Sequence, residues 1–491
     1  MTNSEDIGVL VPTAQDGRRS SSALGRDVVA DALREIDPAG ALDAEREKNW
    51  RKGYVGHFRR LLESGVVSRD AALRIAADGL RAVHERMRYR GADGAETPLD
   101  DMPTGSPHPP PGTVEIRGTG EPEPGFSLPV HGEWLAGDAL SRQLDVWGTA
   151  GVLEPSAADQ IRTLLAHPDW LRLDGQTIVV LGASAEMGPL PHLLRWGARV
   201  AALELPRPEL WHALMDGVRD TAGTLLAPVA ADSAGADAAA HAGLDVLSDT
   251  ARAIEWINHL DGALVLGNYV YADGVVNLRL AAAVDALTLR LQDTHTDLAL
   301  AFLATPTDVF AVPADAVAQS TRAHQDRSTR AKLLAAPLRA LSAGRLLRAQ
   351  YPSGAEPGIL DALIPQQGPN YALAKRLHRW RATVARDAGS TVSMNIAPPT
   401  RTRSVIKNRT LAAAYGQAHR FGVEVFEPAT ASTLMAGLLV ADLHTGGGPA
   451  HDDPWQDEAC AAVHGGLWRG PYQPRSALGL AAVMGYRAAK P

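Results

Sequence analysis

The sequence predicts an α/β fold, a doubly wound parallel sheet with a helical N-terminal domain. Three observations carry that expectation. From Gln176 onward TIVVLGAS and ARVAALEL read as short, continuously apolar runs, the pattern of strands buried on both faces, and TLLAPVAAD, GALVLGNY, DLALAFLAT, TVSMNIAP and VEVFEP are further strand candidates. Helical patterns separate most of these runs, as an alternating α/β sheet requires. A glycine-bearing turn follows directly on the first run.

Composition allows such a fold and narrows its partners. The chain has 491 residues, enough for two or three domains, with 45% apolar and 21% charged residues, ordinary globular usage. The formal charge is -8 and no Lys/Arg block exceeds a few residues, so no nucleic-acid-binding stripe is indicated and a small-molecule substrate is the expected partner. A single cysteine, Cys460, excludes an intramolecular disulfide and a cysteine-cluster zinc site, and reads as intracellular. There is no signal pattern and no run of about 18 apolar residues, so no membrane is expected and the expected location is cytoplasmic.

Taken in order, residues 1–22 are polar and Ser/Arg-rich and read as a flexible tail. Residues 23–90 carry three runs with apolar residues at three- and four-residue spacing, a helical N-terminal domain in which Gly65 ends one helix and Ser68 caps the next. Residues 91–112 are rich in Pro, Gly and Asp, a linker that sustains neither helix nor sheet. In 113–172, TVEIRG reads as a short strand and the rest as connecting helices, and 173–491 form the nucleotide-binding domain.

The turn VVLGASAEMG makes that domain Rossmann-like. Gly182 lets the chain turn tightly after the strand, Ser184 lies in the turn, and Gly188 lets the following helix approach the sheet with its N-terminus toward a pyrophosphate. Glu204, about twenty residues on, closes the second strand, where a carboxylate accepts hydrogen bonds from ribose hydroxyls. A dinucleotide is favoured, although a methyltransferase places glycines and an acidic residue similarly. Arg207 would suit a 2′-phosphate, but the carboxylate opposes it, so NAD is preferred to NADP. The second motif, Tyr371-Ala-Leu-Ala-Lys375, opens a helical run, and a spacing of four puts both side chains on one face. A nearby ammonium favours phenolate, bringing the tyrosine toward a useful acid/base range.

With its surroundings, PNYALAKRLHRWRATVARDAGSTVSMNIAPP resembles the Tyr-x-x-x-Lys helix of the short-chain dehydrogenases/reductases, the strand after it, and the Ala-Pro beside the nicotinamide, here Pro398. VVNLRLAAAVDAL resembles that family's fourth helix with its asparagine, here Asn277, and DLALAFLATPT the following strand, with Thr305 where the family has serine and Thr307 as the alternative. Gly182 and Gly188 match the first and last glycines of the family's turn, Asp232 the carboxylate that contacts adenine, and Gly267-Asn268-Tyr269-Val270 stands in place of its Asn-Asn-Ala-Gly, which makes Asn268 a cofactor-binding candidate. VEVFEPATASTLMAGLLVADL resembles the closing strand and helix, so the likeness covers residues 176 to about 442.

The resemblance implies an NAD(P)-dependent oxidoreductase that moves a hydride between a nicotinamide and a carbonyl or alcohol carbon. Tyr371 would be the acid/base, Lys375 would lower its pKa and hold the nicotinamide ribose, Asn277 would hold a relay water, and Thr305 would polarise the carbonyl. A homo-oligomer is implied by analogy alone. The chain departs from the family at Glu186, which replaces the middle glycine, and at Pro399, where the family prefers glycine. It also departs in the long stretch between Thr305 and Tyr371, which implies an insertion over about 312–366 that covers the cleft or makes an oligomer contact.

His444, His451 and His464 with Asp452 and Asp453 match no ligand spacing, so no metal is expected, and Trp455, Trp468 and Tyr472 are expected to pack the tail. Beside the oxidoreductase stand two other readings. One is an S-adenosylmethionine-dependent methyltransferase, which needs no Tyr/Lys pair. The other is a non-catalytic nucleotide-binding protein derived from a dehydrogenase, motivated by Glu186.

Overall fold

Alternate residues of the first apolar run face opposite ways: Ile178 and Val180 enter one hydrophobic cluster, Val179 and Leu181 another. A strand apolar on both faces needs cover on both. The computed structural model describes residues 7–14, 17–91, 93–103, 105–106, 108–230 and 237–488. Its central sheet has seven strands: β1 (Gly112–Arg117), β2 (Gln176–Leu181), β3 (Arg199–Leu203), β4 (Thr224–Val229), β5 (Ala263–Asn268), β6 (Ala299–Ala304) and β7 (Val392–Ile396). In space they run β7-β6-β5-β2-β3-β4-β1. Strands β2 to β7 pair in parallel and β1 pairs antiparallel with β4. The parallel strands thus follow the doubly wound 3-2-1-4-5-6 order, with the switch point between β2 and β5, and the fold is Rossmann-like.

One margin of the sheet is covered and the other carries charge. On β1 the exposed Glu115 pairs with Arg117 at 2.5 Å and with Arg199 at 3.2 Å. Beyond β7, Val392 donates its N–H to Gly447 O (3.4 Å) and Ile396 O accepts from Val463 (3.0 Å). TVEIRG therefore belongs to the main sheet. The expected strand VEVFEP does not form, and only Phe426 bridges to Thr400. The facing segment carries Pro398 and Pro399, which have no N–H with which to extend a ladder.

Part of the expected tail and linker is also ordered into sheet. Gly8–Leu10 pairs with Arg88–Arg90, which pairs with Glu96–Pro98, because the short apolar GVLV segment is drawn inward and leaves Val9 fully buried. Four helices follow the first strand: α1 (Ser21–Leu33), α2 (Pro38–Arg46), α3 (Trp50–Gly65) and α4 (Arg69–Arg86). Ser68 caps α4, its Oγ accepting from Ala71 N at 3.2 Å.

The far face of the sheet carries α5 (Pro155–Ala166), α6 (Leu190–Trp196) and, later in the chain, the closing helix. The near face carries α7 (Gly274–Thr294) and α8 (Pro369–Asp387). Later in the chain come a small helix α9 (Arg409–Gly416), the closing helix α10 (Pro428–Thr445) and a C-terminal helix α11 (Pro474–Ala488), with α9 packed on α11. The four N-terminal helices roof α7 and α8, and one hydrophobic cluster runs from Val9, Leu24 and Phe58 through to Val179 and Leu181. They form a third layer on a shared core.

Contact between α4 and α8 is closest at Gly79, where an added Cβ would lie 2.3 Å from the Trp380 ring. Replacing Gly79 with alanine is expected to lower stability by about 1–3 kcal/mol, read as a lower urea midpoint with unchanged slope.

Polar groups pin the same layer. His84 on α4 bridges Asp100 (Nδ1, 2.8 Å) and Asp285 on α7 (Nε2, 2.7 Å), and Asp285 also accepts from Arg381 on α8 at 2.7 and 2.8 Å. Burial works against the imidazolium, but the two carboxylates outweigh it and raise the His84 pKa. A raised folded value means that this stabilisation is complete below the ordinary pKa and fades as pH climbs through the folded one. Stability of the intact chain is expected to fall as pH rises above about 6.5, and His84→Gln to flatten that slope in denaturant titrations at several pH values.

The segment between β6 and α8 is more than a cover. Val309–Val312 pairs antiparallel with Gly358–Asp361, and Val309, Phe310 and Val312 are buried in the main core. Helices Ala314–Gln325 and Thr329–Leu341 lie between the two strands.

Candidate active site

Gly182 leaves β2 with φ +79° and packs so close to the β5–α7 loop that a Cβ would sit 3.0 Å from Val270 Cα. The tight turn is there. The phosphate cradle implied by its glycines is not. Ser184 donates from both N (2.9 Å) and Oγ (2.6 Å) to Glu204 Oε2, while Glu204 Oε1 accepts from Leu205 N at 2.9 Å. The carboxylate assigned to ribose hydroxyls is thus turned back on the glycine turn. Glu186 Oε2 accepts from Arg403 N at 2.9 Å, which ties the turn to the segment after β7.

The N–H groups of Gly182 and Ala183 bond to Leu203 O, and that of Gly188 to Ala185 O. Helix α6 has only seven residues; Pro189 precedes it and Pro191 is its second residue, both without an N–H, and His192 N is bonded to Pro189 O. A helix N-terminus binds an anion through free N–H groups, and here most are missing or used. The turn does not fit a dinucleotide diphosphate in the expected pose. Asp232, the expected adenine contact, lies outside the described residues.

At the other end, side chains do converge. Tyr371 stands in the first turn of α8 and Thr305 directly follows β6, near enough for the Thr305 hydroxyl to favour the ionised phenol. Thr305 Oγ1 is 2.9 Å from Thr307 Oγ1, which donates to Gln367 Oε1 at 3.0 Å. Tyr271 packs edge-on against Tyr371, with ring centroids 6.4 Å apart. Burial pushes the Tyr371 phenol well up, Thr305 partly opposes this, and Tyr271, Tyr415 and Asp308 add to the rise. The net rise runs against the lowering expected from Lys375.

Lys375 is half-buried and, among the described residues, has no hydrogen-bond or ion-pair partner; burial alone brings its ammonium down to about 8. One turn on, His378 stacks on Phe302 (6.1 Å) with neither ring nitrogen partnered, and burial, with a contribution from Lys375, takes it down to about 3. Asn268, the register partner of Phe302, likewise has a buried Oδ1 without a partner. Asn277 turns elsewhere, its Oδ1 accepting from Ala272 N at 3.1 Å to hold the β5–α7 loop. Pro398 O accepts from Thr400 Oγ1 at 2.8 Å.

Beside Thr307 opens a pocket, partly open to solvent, lined by Pro399, by side chains between Ala414 and Val425, and by α11. His378, Gln367, Tyr415 and Arg475 were missed in the sequence. His378 had a usable signal, its i+7 spacing from Tyr371 on one helix face; the other three carry none. The charged residues of α8 have separate work: Arg376 and Arg379 hold the buried Asp308 at 2.9 and 2.7 Å. His464 and Arg469 hold Glu154 at 2.9 and 2.6 Å; burial opposes its charge, but they bring its pKa to about 2. His444 stacks on Trp170 at 4.6 Å and His451 bonds Asp457 at 2.8 Å.

No family model and no curated protein matches the chain. Among solved structures, a short-chain dehydrogenase/reductase of Serratia marcescens is 18% identical over 60% of this chain and 99% of its own, with a TM-score of 0.31. The terminal R domain of the myxalamid PKS-NRPS biosynthetic pathway is 13% identical over 53% of this chain and 61% of its own, with a TM-score of 0.28. Among the described residues, no helix is long and apolar enough to cross a membrane.

Proposed function

We propose that the chain is an oxidoreductase of short-chain type that acts on a carbonyl or alcohol carbon, with Tyr371 exchanging the proton of the substrate oxygen. One observation carries this reading: Tyr371 and Thr305 stand together at the strand ends beside an apolar pocket, the arrangement needed to hold and protonate an oxygen. The raised phenol stays protonated at neutral pH, so it serves as a donor, in the direction of carbonyl reduction. Thr307, whose hydroxyl donates to Gln367, holds Thr305 in place beside the phenol, and Lys375, charged below about 8, favours negative charge developing on the substrate oxygen.

A nicotinamide would supply the hydride. Because the glycine turn does not fit its diphosphate, the turn receives no role and neither NAD nor NADP is preferred. Thermal shift of the intact protein with NADH, NADPH and S-adenosylmethionine tests the proposal, since a ligand of the folded state stabilises it by RT ln(1 + [L]/Kd). Stabilisation by either nicotinamide, followed by its oxidation when a ketone is added, is the expected result. A response to S-adenosylmethionine alone sinks the reading.

The tied turn favours a second reading, a non-catalytic protein on this fold. Silence from all three ligands supports it.

A further inference from the structure

The pocket beside Thr307 has a lopsided chemistry. Ala414, Ala418, Phe421, Val423, Leu478 and Ala481 form most of its wall, and the hydroxyl of Thr307, which leads through Thr305 to Tyr371, marks one end. The pocket has one cationic lining residue, Arg475, and that charge is already answered: its guanidinium is paired with Asp361, whose side chain is 2% exposed. Tyr472 is engaged as well, its hydroxyl accepting from Arg327 at 3.2 Å under a guanidinium 5.2 Å from the ring centroid.

A carboxylate entering this space would find no free cation, and taking Arg475 would strand Asp361 as a buried, uncompensated charge. An ammonium would face the same matched pair from the other side. Apolar atoms, by contrast, meet a wall built from alanines and larger apolar side chains, which leaves room for a chain or ring.

We infer that this pocket takes a neutral, largely apolar ketone or secondary alcohol with its single oxygen toward the Thr307 end, from which Thr305 leads to Tyr371. The inference rests on the reading of Tyr371 as proton donor, and it adds the substrate class. The walls contributed by α9 and α11 lie outside the two large cores and pack around their own small apolar clusters, so most of the pocket is built by the chain after β7, with Thr307, Ala362 and Ile364 added from before it.

Three probes of equal chain length test it on the full-length protein by isothermal titration: 2-decanone, decanoate and decylamine. Binding of the ketone at least tenfold tighter than either charged probe is expected; equal or tighter binding of decanoate or decylamine overturns the inference. Ala418→Phe, at a partly exposed lining position, should weaken ketone binding at least tenfold with the far-UV spectrum unchanged, and Leu478→Trp is the second filling variant should the first not fold. Ketone binding that survives both fillings also overturns it. Failure of the broader reading looks different: ketone bound by wild type and weakened by the fillings, yet never reduced with either nicotinamide, leaves the pocket assignment standing and removes the oxidoreductase.

Discussion

Replacing Tyr371 with phenylalanine is expected to lower ketone turnover by about 10²- to 10⁴-fold, the usual contribution of a positioned acid or base. Binding of the apolar ketone is expected to persist, because the pocket wall does not include this hydroxyl. That split separates a proton donor from a packing residue: loss of fit would raise KM, whereas loss of the proton lowers kcat. The pH profile adds a second check. Burial keeps the phenol neutral well past pH 7, while Lys375 discharges near 8, so the wild-type rate should fall across that value as the ammonium is lost. Lys375→Met should remove the limb, and a Tyr371→Phe variant with wild-type kcat would end the case for Tyr371.

The largest stability loss is expected at Asp285. Its carboxylate receives His84 and Arg381, joining α4, α7 and α8, and its side chain is 5% exposed. Burial opposes its charge, but the guanidinium and imidazole hold its pKa well below the ordinary carboxylate range. Asp285→Ala leaves the Arg381 guanidinium buried and unanswered, a loss of about 3–5 kcal/mol, measurable as a lower midpoint in urea. Asp285→Asn, which keeps the shape without the charge, should recover only part of it. A change within about 0.5 kcal/mol, typical of surface positions, would show that water reaches these groups.

The periods of the sequence carried the sheet well and the margins badly. Residues 178–181 and 263–266 are apolar at every position, as strands covered on both faces are. VEVFEP has the same look but faces two prolines, a fact of the partner segment that its own residues do not record. The helices of 23–90 were legible as helices. That they roof α8 was not, since Gly79 against Trp380 is a contact across 301 residues of separation in the numbering. In the site, the spacing of Tyr371 and Lys375 was visible, yet which atoms each meets depends on the depth at which α8 is buried. The glycine turn shows the limit most plainly: Gly182 and Gly188 stand where a phosphate turn needs them, while Pro189, Pro191 and the bonds from Ser184 and to Glu186 use up what a phosphate would have required.

The two margins of the sheet bear on how copies of this chain can associate. A bare edge strand offers its unpaired N–H and C=O groups as a template for another molecule, the usual first step of fibril growth and of dimers made by sheet continuation. Here β1, with its charged side chains, holds one border, and the backbone at Gly447 and Val463 takes up bonds at the other. Strand addition is therefore blocked at the β7 border and opposed by charge at β1, which favours helix surfaces for any assembly of this chain.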